Sequence, residues 1–267
     1  MLSLRQPASS PVPIISLQDL SKTYRTDKGD TAALQKLNVN IEEGQFIAVV
    51  GPSGCGKSTL LKILAGLHKA SSGVASISGS PVTGPRRDVG VVFQSPVLFP
   101  WRTVLENVLL PAQVQHLDID KHRNNALSLL SLVGLNEFSD HYPRELSGGM
   151  QQRVAISRAL VNDPSLLLMD EPFGALDAMT REHLNVELQR IWLEKKKTIL
   201  FITHSIPESI FLADRVLVMS PRPGRIIEDI LIPLPRPRGL EVMNTAEFGG
   251  YVSQIRRLFN VKGGMDG

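Results

Sequence analysis

The stretch "FIAVVGPSGCGKSTLLKIL", residues 46–64, decides how this chain folds. Phe46 to Val50 is a strand-sized apolar run. It breaks at Gly51 into a turn containing Gly54 and Gly56, and Lys57, Ser58 and Thr59 then open a helical pattern. Gly51, Gly56, Lys57 and Ser58 occupy every fixed position of G-x-x-x-x-G-K-[ST], with a strand before and a helix after, which is the context of a phosphate-binding (Walker A) loop. Glycines let backbone N–H groups turn inward around phosphate oxygens, and the helix N-terminus adds its positive end. The residues expected to cradle the phosphates of a nucleotide are therefore Gly51, Pro52, Ser53, Gly54, Cys55, Gly56, Lys57, Ser58 and Thr59. Lys57 supplies a point charge to the β- and γ-phosphates, and the Ser58 hydroxyl is placed for Mg²⁺.

Outward from this loop, apolar runs recur: "PIISLQDL", "LNVNI", "GVASISG", "DVGVVFQ", "SLLLMDE", "TILFITH", "RVLVMS" and "RIIEDILI". Helical patterns alternate with several of them. One is residues 57–67. Another is "AMTREHLNVELQRIWLEKKK", which puts Leu184, Leu188, Ile191 and Trp192 on one face. The expected class is α/β, a mixed or parallel sheet covered on both sides. Early strands separated by Gly73, Gly79 and Gly84 suggest an antiparallel patch beside it. From about 95 to 164 the strands stop and three helical stretches follow one another, a helical subdomain inserted in the core. The expected organisation is a disordered lead-in over 1–13, one domain over 14–232, and a Pro-rich connector with a tail helix over 233–267. Phe248, Tyr251, Ile255 and Phe259 give that tail a weak apolar face, read as packing back on the domain.

Composition excludes several classes. Among 267 residues the net charge is +3 and the basic residues are scattered, so nucleic acid is not an expected partner. The single cysteine, Cys55, cannot form an internal disulfide and fits a reducing compartment. No secretory signal is visible, and the apolar runs fall short of the roughly 20 residues that span a bilayer. The expectation is a soluble, cytosolic chain that can dock on a membrane protein.

Two further strand ends carry chemistry. "LLLMDEP" ends an apolar run in Asp170 and Glu171. Buried strands seldom end in adjacent carboxylates without a cation or a proton to manage. Neighbours on a strand point to opposite sides, so Asp170 is expected to hold Mg²⁺ and Glu171 to act as general base toward the attacking water. "FITHS" ends in His204, which is placed to reach the γ-phosphate. "VVFQS" ends in Gln94, an amide placed to touch Mg²⁺ and the attacking water. "ELSGGMQQR" is a second helix start suited to phosphate, with Ser147 as N-cap and Gly148 and Gly149 exposing the first amides. A single chain has little use for a second cradle that its own nucleotide cannot reach, whereas a dimer does.

Together these residues resemble the nucleotide-binding subunit of ATP-binding cassette (ABC) transporters. "LSGGMQQR" is similar to that family's signature sequence, "GALD" with Asp177 to its D-loop, and Tyr24 of "SKTY" to the aromatic that stacks on adenine. The resemblance implies a P-loop ATPase that uses ATP and Mg²⁺ in a head-to-tail homodimer or pseudo-dimer. One chain would offer the Walker loop, Asp170, Glu171, Gln94 and His204. The other would offer Ser147, Gly148, Gly149 and Asp177. It further implies transmembrane permease subunits, a peripheral seat on the cytoplasmic membrane face, and an extracytoplasmic solute-binding protein acting indirectly. "SPVLFPWRTVLENV" and "VMSPRPGRI" resemble the importer branch for nitrate, sulfonate, taurine and related solutes. The competing reading is a soluble ABC ATPase without a transport role, of the Fe–S cluster assembly type, which is also a short single cassette.

Overall fold

The run Phe46–Val50 is buried along its whole length at the middle of a six-stranded sheet, as an apolar run of this kind must be when both sheet faces are covered. The structure is a computed structural model that describes residues 12–27 and 29–263. Its first half runs β1 (Ile15–Thr26), β2 (Gly29–Ile41), β3 (Phe46–Val50), α1 (Lys57–Leu64), β4 (Ser72–Ile77), β5 (Ser80–Pro81), β6 (Val89–Val92), α2 (Val104–Val114), α3 (Ile119–Leu132) and α4 (Gly148–Leu160). The second half runs β7 (Leu166–Asp170), α5 (Ala178–Lys195), β8 (Thr198–Thr203), α6 (Ile206–Leu212), β9 (Arg215–Met219), β10 (Ile226–Leu231) and α7 (Ala246–Gly263).

The large sheet has the order β10-β9-β3-β8-β7-β6. Every neighbouring pair in it is parallel except β9 with β10. The smaller sheet, β2-β1-β4-β5, is antiparallel, so the expected patch is present. Strand alternation divides the core in two. Phe46, Ala48, Val50, Leu167, Met169 and Phe201 face the helices α2 to α7, while Ile47, Val49, Leu166, Leu168, Leu200 and Ile202 face α1 and the small sheet. The four apolar residues assigned to one face of α5 are all buried. Asp170 follows the parity of Leu166 and Leu168 and so leans toward α1.

Some boundaries differ from the sequence reading. Helix α1 stops at Leu64, short of residue 67, because Gly66 turns left-handed at φ 73° just beyond it. β1 and β2 run longer than their apolar cores, since register shifts at Leu20 and Lys22 let polar residues keep pairing. The lead-in expected over 1–13 lies, apart from residues 12 and 13, outside the described residues. Between β6 and β7 the chain forms α2, α3 and α4 with two short 3-10 turns.

Residues after β10 are tied down by arginines. Arg238, 3 % exposed, donates from Nη1 to the carbonyls of Ile210, Phe211 and Ala213 and from Nη2 to those of Ile232 and Leu234. Burial pulls its guanidinium down to about 10. Gln189 brackets the Arg238 backbone, accepting from its N–H and donating to its carbonyl, both at 2.7 Å. Arg236 stacks 4.3 Å over the Trp192 ring and pairs with Asp214 at 2.9 Å. The tail helix α7 packs on α6 through Phe248 and Ile255, both buried in the larger core. Arg238→Met keeps the stem but orphans the α6 carbonyls, so it should lower unfolding free energy by about 2–3 kcal/mol. A urea midpoint equal to that of the parent would show that the arginine adds nothing to stability.

Candidate functional site

The parallel strands deliver the candidate residues to one edge of the large sheet, at their C-terminal ends, where ligands of open α/β sheets bind. The loop after β3 wraps into α1 through Gly56 at φ 110°. A Cβ there would stand 2.6 Å from Leu34 Cδ2 and 2.7 Å from the Ala33 carbonyl oxygen, so only glycine fits. Lys57 is 5 % exposed, and its Nζ donates to the Gly51 carbonyl at 2.8 Å and the Pro52 carbonyl at 3.1 Å. Its charge is thereby held inside the curl of the loop. Cys55 is a core residue, and burial pushes its thiol above the usual range. It does not line the cleft, and its N–H donates to the Pro52 carbonyl at 3.3 Å.

At the head of α1, Ser58 Oγ donates to Asp170 Oδ1 at 3.0 Å. The Asp170 carboxyl is raised, chiefly by burial and secondarily by neighbouring Glu171. β7 ends at Asp170, and Glu171 adopts a left-handed φ of 46° while its N–H still donates to the Ile202 carbonyl. Strand alternation therefore does not separate the two acids; the turn at Glu171 does. A non-glycine residue held in this region costs of order 1–3 kcal/mol, a strain typical of functional sites. Glu171 Oε2 lies 3.2 Å from His204 Nδ1, which follows directly after β8. Gln94 lies two residues beyond the end of β6 rather than on it, and is exposed. It approaches the same turn, because a Cβ on Gly174 would be 3.5 Å from Gln94 Nε2 and 3.7 Å from Glu171 Cβ.

These groups border a cleft of about 500 Å³ lined by Tyr24, Ser53, Gly54, Gly56, Lys57, Ser58, Thr59 and Glu171. The Tyr24 hydroxyl hydrogen-bonds His68 Nδ1 at 3.0 Å and lies 3.4 Å from Thr59 Oγ1. Arg222 also lines the cleft and donates from Nε and Nη2 to the Gly54 carbonyl. Sequence reading missed it, because nothing local connects "SPRPGR" to a loop 168 residues away.

Ser147, Gly148, Gly149 and Asp177 sit elsewhere. Ser147 Oγ caps α4 by accepting from Met150 N–H at 3.3 Å, and Asp177 caps α5 by accepting from Thr180 N–H at 3.0 Å. Hydrogen bonding to the Thr180 side chain, and next to its N–H, holds the Asp177 carboxyl below the usual range. The glycine pair also has a packing reason: a Cβ on Gly149 would stand 3.0 Å from Thr180 Cγ2. The starts of α4 and α5 are thus pressed together. Ser147, Gly148 and Asp177 are exposed, and none of the four lines the cleft of its own chain.

A divalent cation fits beside α1. Ser58 and Asp170 offer a hydroxyl and a carboxylate in contact, both oxygen donors. Among the described residues no group of three or more His, Cys, Asp or Glu gathers as a complete metal cage. That suits Mg²⁺, which takes one or two protein oxygens and completes its shell with phosphate and water.

The ABC transporter family profile matches residues 34–174. The chain belongs to the ABC transporter family. An uncharacterized ABC transporter ATP-binding protein of Methanocaldococcus jannaschii is 48% identical over 224 residues, 84% of each chain. The nitrate import ATP-binding protein NrtD of Synechocystis is 44% identical over 91% of this chain and 94% of its own. The aliphatic sulfonates import ATP-binding protein SsuB of Bacillus cereus is 43% identical over 89% and 98%. Among solved structures, a dimeric bacterial ABC transporter cassette superposes with a TM-score of 0.72 at 36% identity, covering 85% of this chain and 100% of that one. A dimeric post-hydrolysis state of the same cassette, bound to ADP and Pi, matches with the same TM-score at 35% identity. This ABC chain is an ATP-binding ATPase on the expected α/β P-loop fold. Among the described residues no helix is long and apolar enough to cross a membrane.

Proposed function

We propose that this ABC ATPase energises uptake of a small solute, of the nitrate, sulfonate or taurine kind, as a dimer seated on the cytoplasmic face of a pair of membrane permease subunits. An extracytoplasmic binding protein would deliver the solute. One observation supports the dimer: Ser147 and Gly148 at the start of α4, read as a second phosphate cradle, are exposed and lie outside the cleft that holds Lys57, Ser58 and Glu171. Similarity to the sulfonate and nitrate import proteins supports the class of solute.

In this reading the N–H groups of residues 53–59 and Lys57 hold the β- and γ-phosphates, and Tyr24 stacks on adenine. Ser58 and Asp170, with Gln94, would hold Mg²⁺, which neutralises phosphate charge when bound. Glu171 takes the proton of the attacking water, and His204, 3.2 Å from its carboxylate, orients it and faces the γ-phosphate. The partner's Ser147, the partner's Gly148, the partner's Gly149 and the partner's Asp177 close the site from the opposite side. Closure on ATP and opening after hydrolysis drive the permease pair between its inward- and outward-facing states. Beside Gln94, Val97 and Trp101 are 58 % and 69 % exposed, and this surface receives the permease.

Uptake of nitrate, taurine and alkanesulfonates by intact cells and by a strain carrying Glu171→Gln tests this function. One of these solutes should accumulate in the intact strain alone, and equal accumulation of all of them in both strains would overturn it. Lys57→Ala should weaken ATP binding about ten- to a hundredfold, on the order of 1.4–2.7 kcal/mol. Titration with a fluorescent ATP analogue reads this directly, and an unchanged Kd would remove Lys57 from the phosphate site.

A further inference from the structure

Behind the site edge of β8 lies a buried carboxyl that the hydrolytic reading does not use. Glu208, in the first turn of α6, is 6 % exposed. Its Oε2 accepts a hydrogen bond from Thr203 Oγ1. Thr203, the last residue of β8, accepts in turn from the Ser205 N–H at 3.0 Å. Ser205 Oγ accepts from the Glu208 N–H at 3.3 Å. These three bonds close a ring around the one residue between Thr203 and Ser205, which is His204.

The ring continues into α5, which packs on α6. Among the described residues, neither Glu208 Oε1 nor Asn185 Oδ1 on α5 meets a partner with hydrogen-bond geometry, and both are buried. Burial pushes the Glu208 carboxyl up, while Thr203, Arg181, His204 and Asn185 all favour its charged form. Arg181 also donates to the carbonyls of Phe173 and Leu176, in the loop that runs from Glu171 to Asp177. Capping a helix of this length needs only Ser205, and a buried carboxyl is costly unless it is paired. Its placement makes sense if it holds the turn between β8 and α6 in register.

We propose that Glu208 is a positioning residue for ATP hydrolysis: from its buried seat in α6 it fixes, through Thr203, the turn that carries His204. The inference rests on the role given to His204 above.

Steady-state hydrolysis and equilibrium ATP binding by the full chain test it. Glu208→Leu should lower kcat about ten- to thirtyfold, the usual scale for groups that orient a catalytic residue, with the Kd for ATP within about twofold. Thr203→Val should give the same loss, and the double variant should fall no further, because both changes cut one connection. Glu208→Gln should retain at least about half of the parent kcat, since its amide oxygen still accepts from Thr203. The proposal is overturned by a Glu208→Leu kcat within about twofold of the parent, by losses that multiply in the double variant, or by a Gln variant as slow as Leu. If the Leu variant does not fold, Thr203→Val decides alone, because it exchanges only a hydroxyl for a methyl. His204→Ala separates the two readings. Normal turnover there removes the role of His204 and this inference with it. A slow His204→Ala beside a normal Thr203→Val removes this inference only.

Discussion

Glu171→Gln leaves ATP binding within about twofold of the parent and lowers turnover roughly 10²–10⁴-fold, the range for loss of a general base. The substitution changes one oxygen to an amide nitrogen and keeps the shape of the side chain. The N–H that Glu171 donates to the Ile202 carbonyl is a backbone group and is retained. So is the left-handed turn that aims the side chain away from Asp170. What is lost is the ability to take a proton from water while His204 lies 3.2 Å away. Binding and chemistry should therefore separate, with Kd preserved and kcat lost. Phosphate release measured beside nucleotide titration reads both, and size-exclusion chromatography with ATP should show a persistent dimer. Turnover within tenfold of the parent would reassign the base.

Ser147→Arg should abolish hydrolysis, by about 10²-fold or more if contacts to the transferring phosphoryl group are lost, while the isolated chain binds ATP normally. The reason is positional. Ser147 is exposed at the start of α4 and does not line the cleft that Lys57 occupies, so a long cation there leaves that cleft untouched. It obstructs only a nucleotide presented by a second chain. Mixing sharpens the test. A Ser147→Arg chain keeps Lys57, and a Lys57→Ala chain keeps Ser147, so their heterodimer has one complete composite site. Hydrolysis should return on mixing two inactive proteins. If Ser147 served its own chain, no site in the mixture would be complete and activity would stay absent.

How much of this was legible before folding depends on the range of the physics involved. Gly51 to Thr59 could be read because loop, lysine and helix start are contiguous, and glycine at 56 is required by a φ of 110°. The end of β7 could be read because apolar residues give way abruptly to two acids. Ser147 could be read as a cap because capping is a relation over three residues; Asp177 was named only through the family resemblance, and its cap on α5 came from the structure. Gln94 was placed on a strand that ends at Val92, an error of the size expected where pairing rather than composition stops the strand.

The sequence by itself determined the layer class, the phosphate loop, the acids and the second helix start, because strand period, helix period and motif spacing are local. Only the tertiary structure decided that β8 lies between β3 and β7, which sets His204 beside Glu171. It also decided that Arg222 reaches Gly54, that Arg238 gathers the carbonyls closing α6, and that Glu208 sits behind His204. Each of these joins segments with no pattern in common. They meet because sheet order and the packing of α5, α6 and the tail on one face leave buried carbonyls and charges that must find partners wherever the fold supplies them.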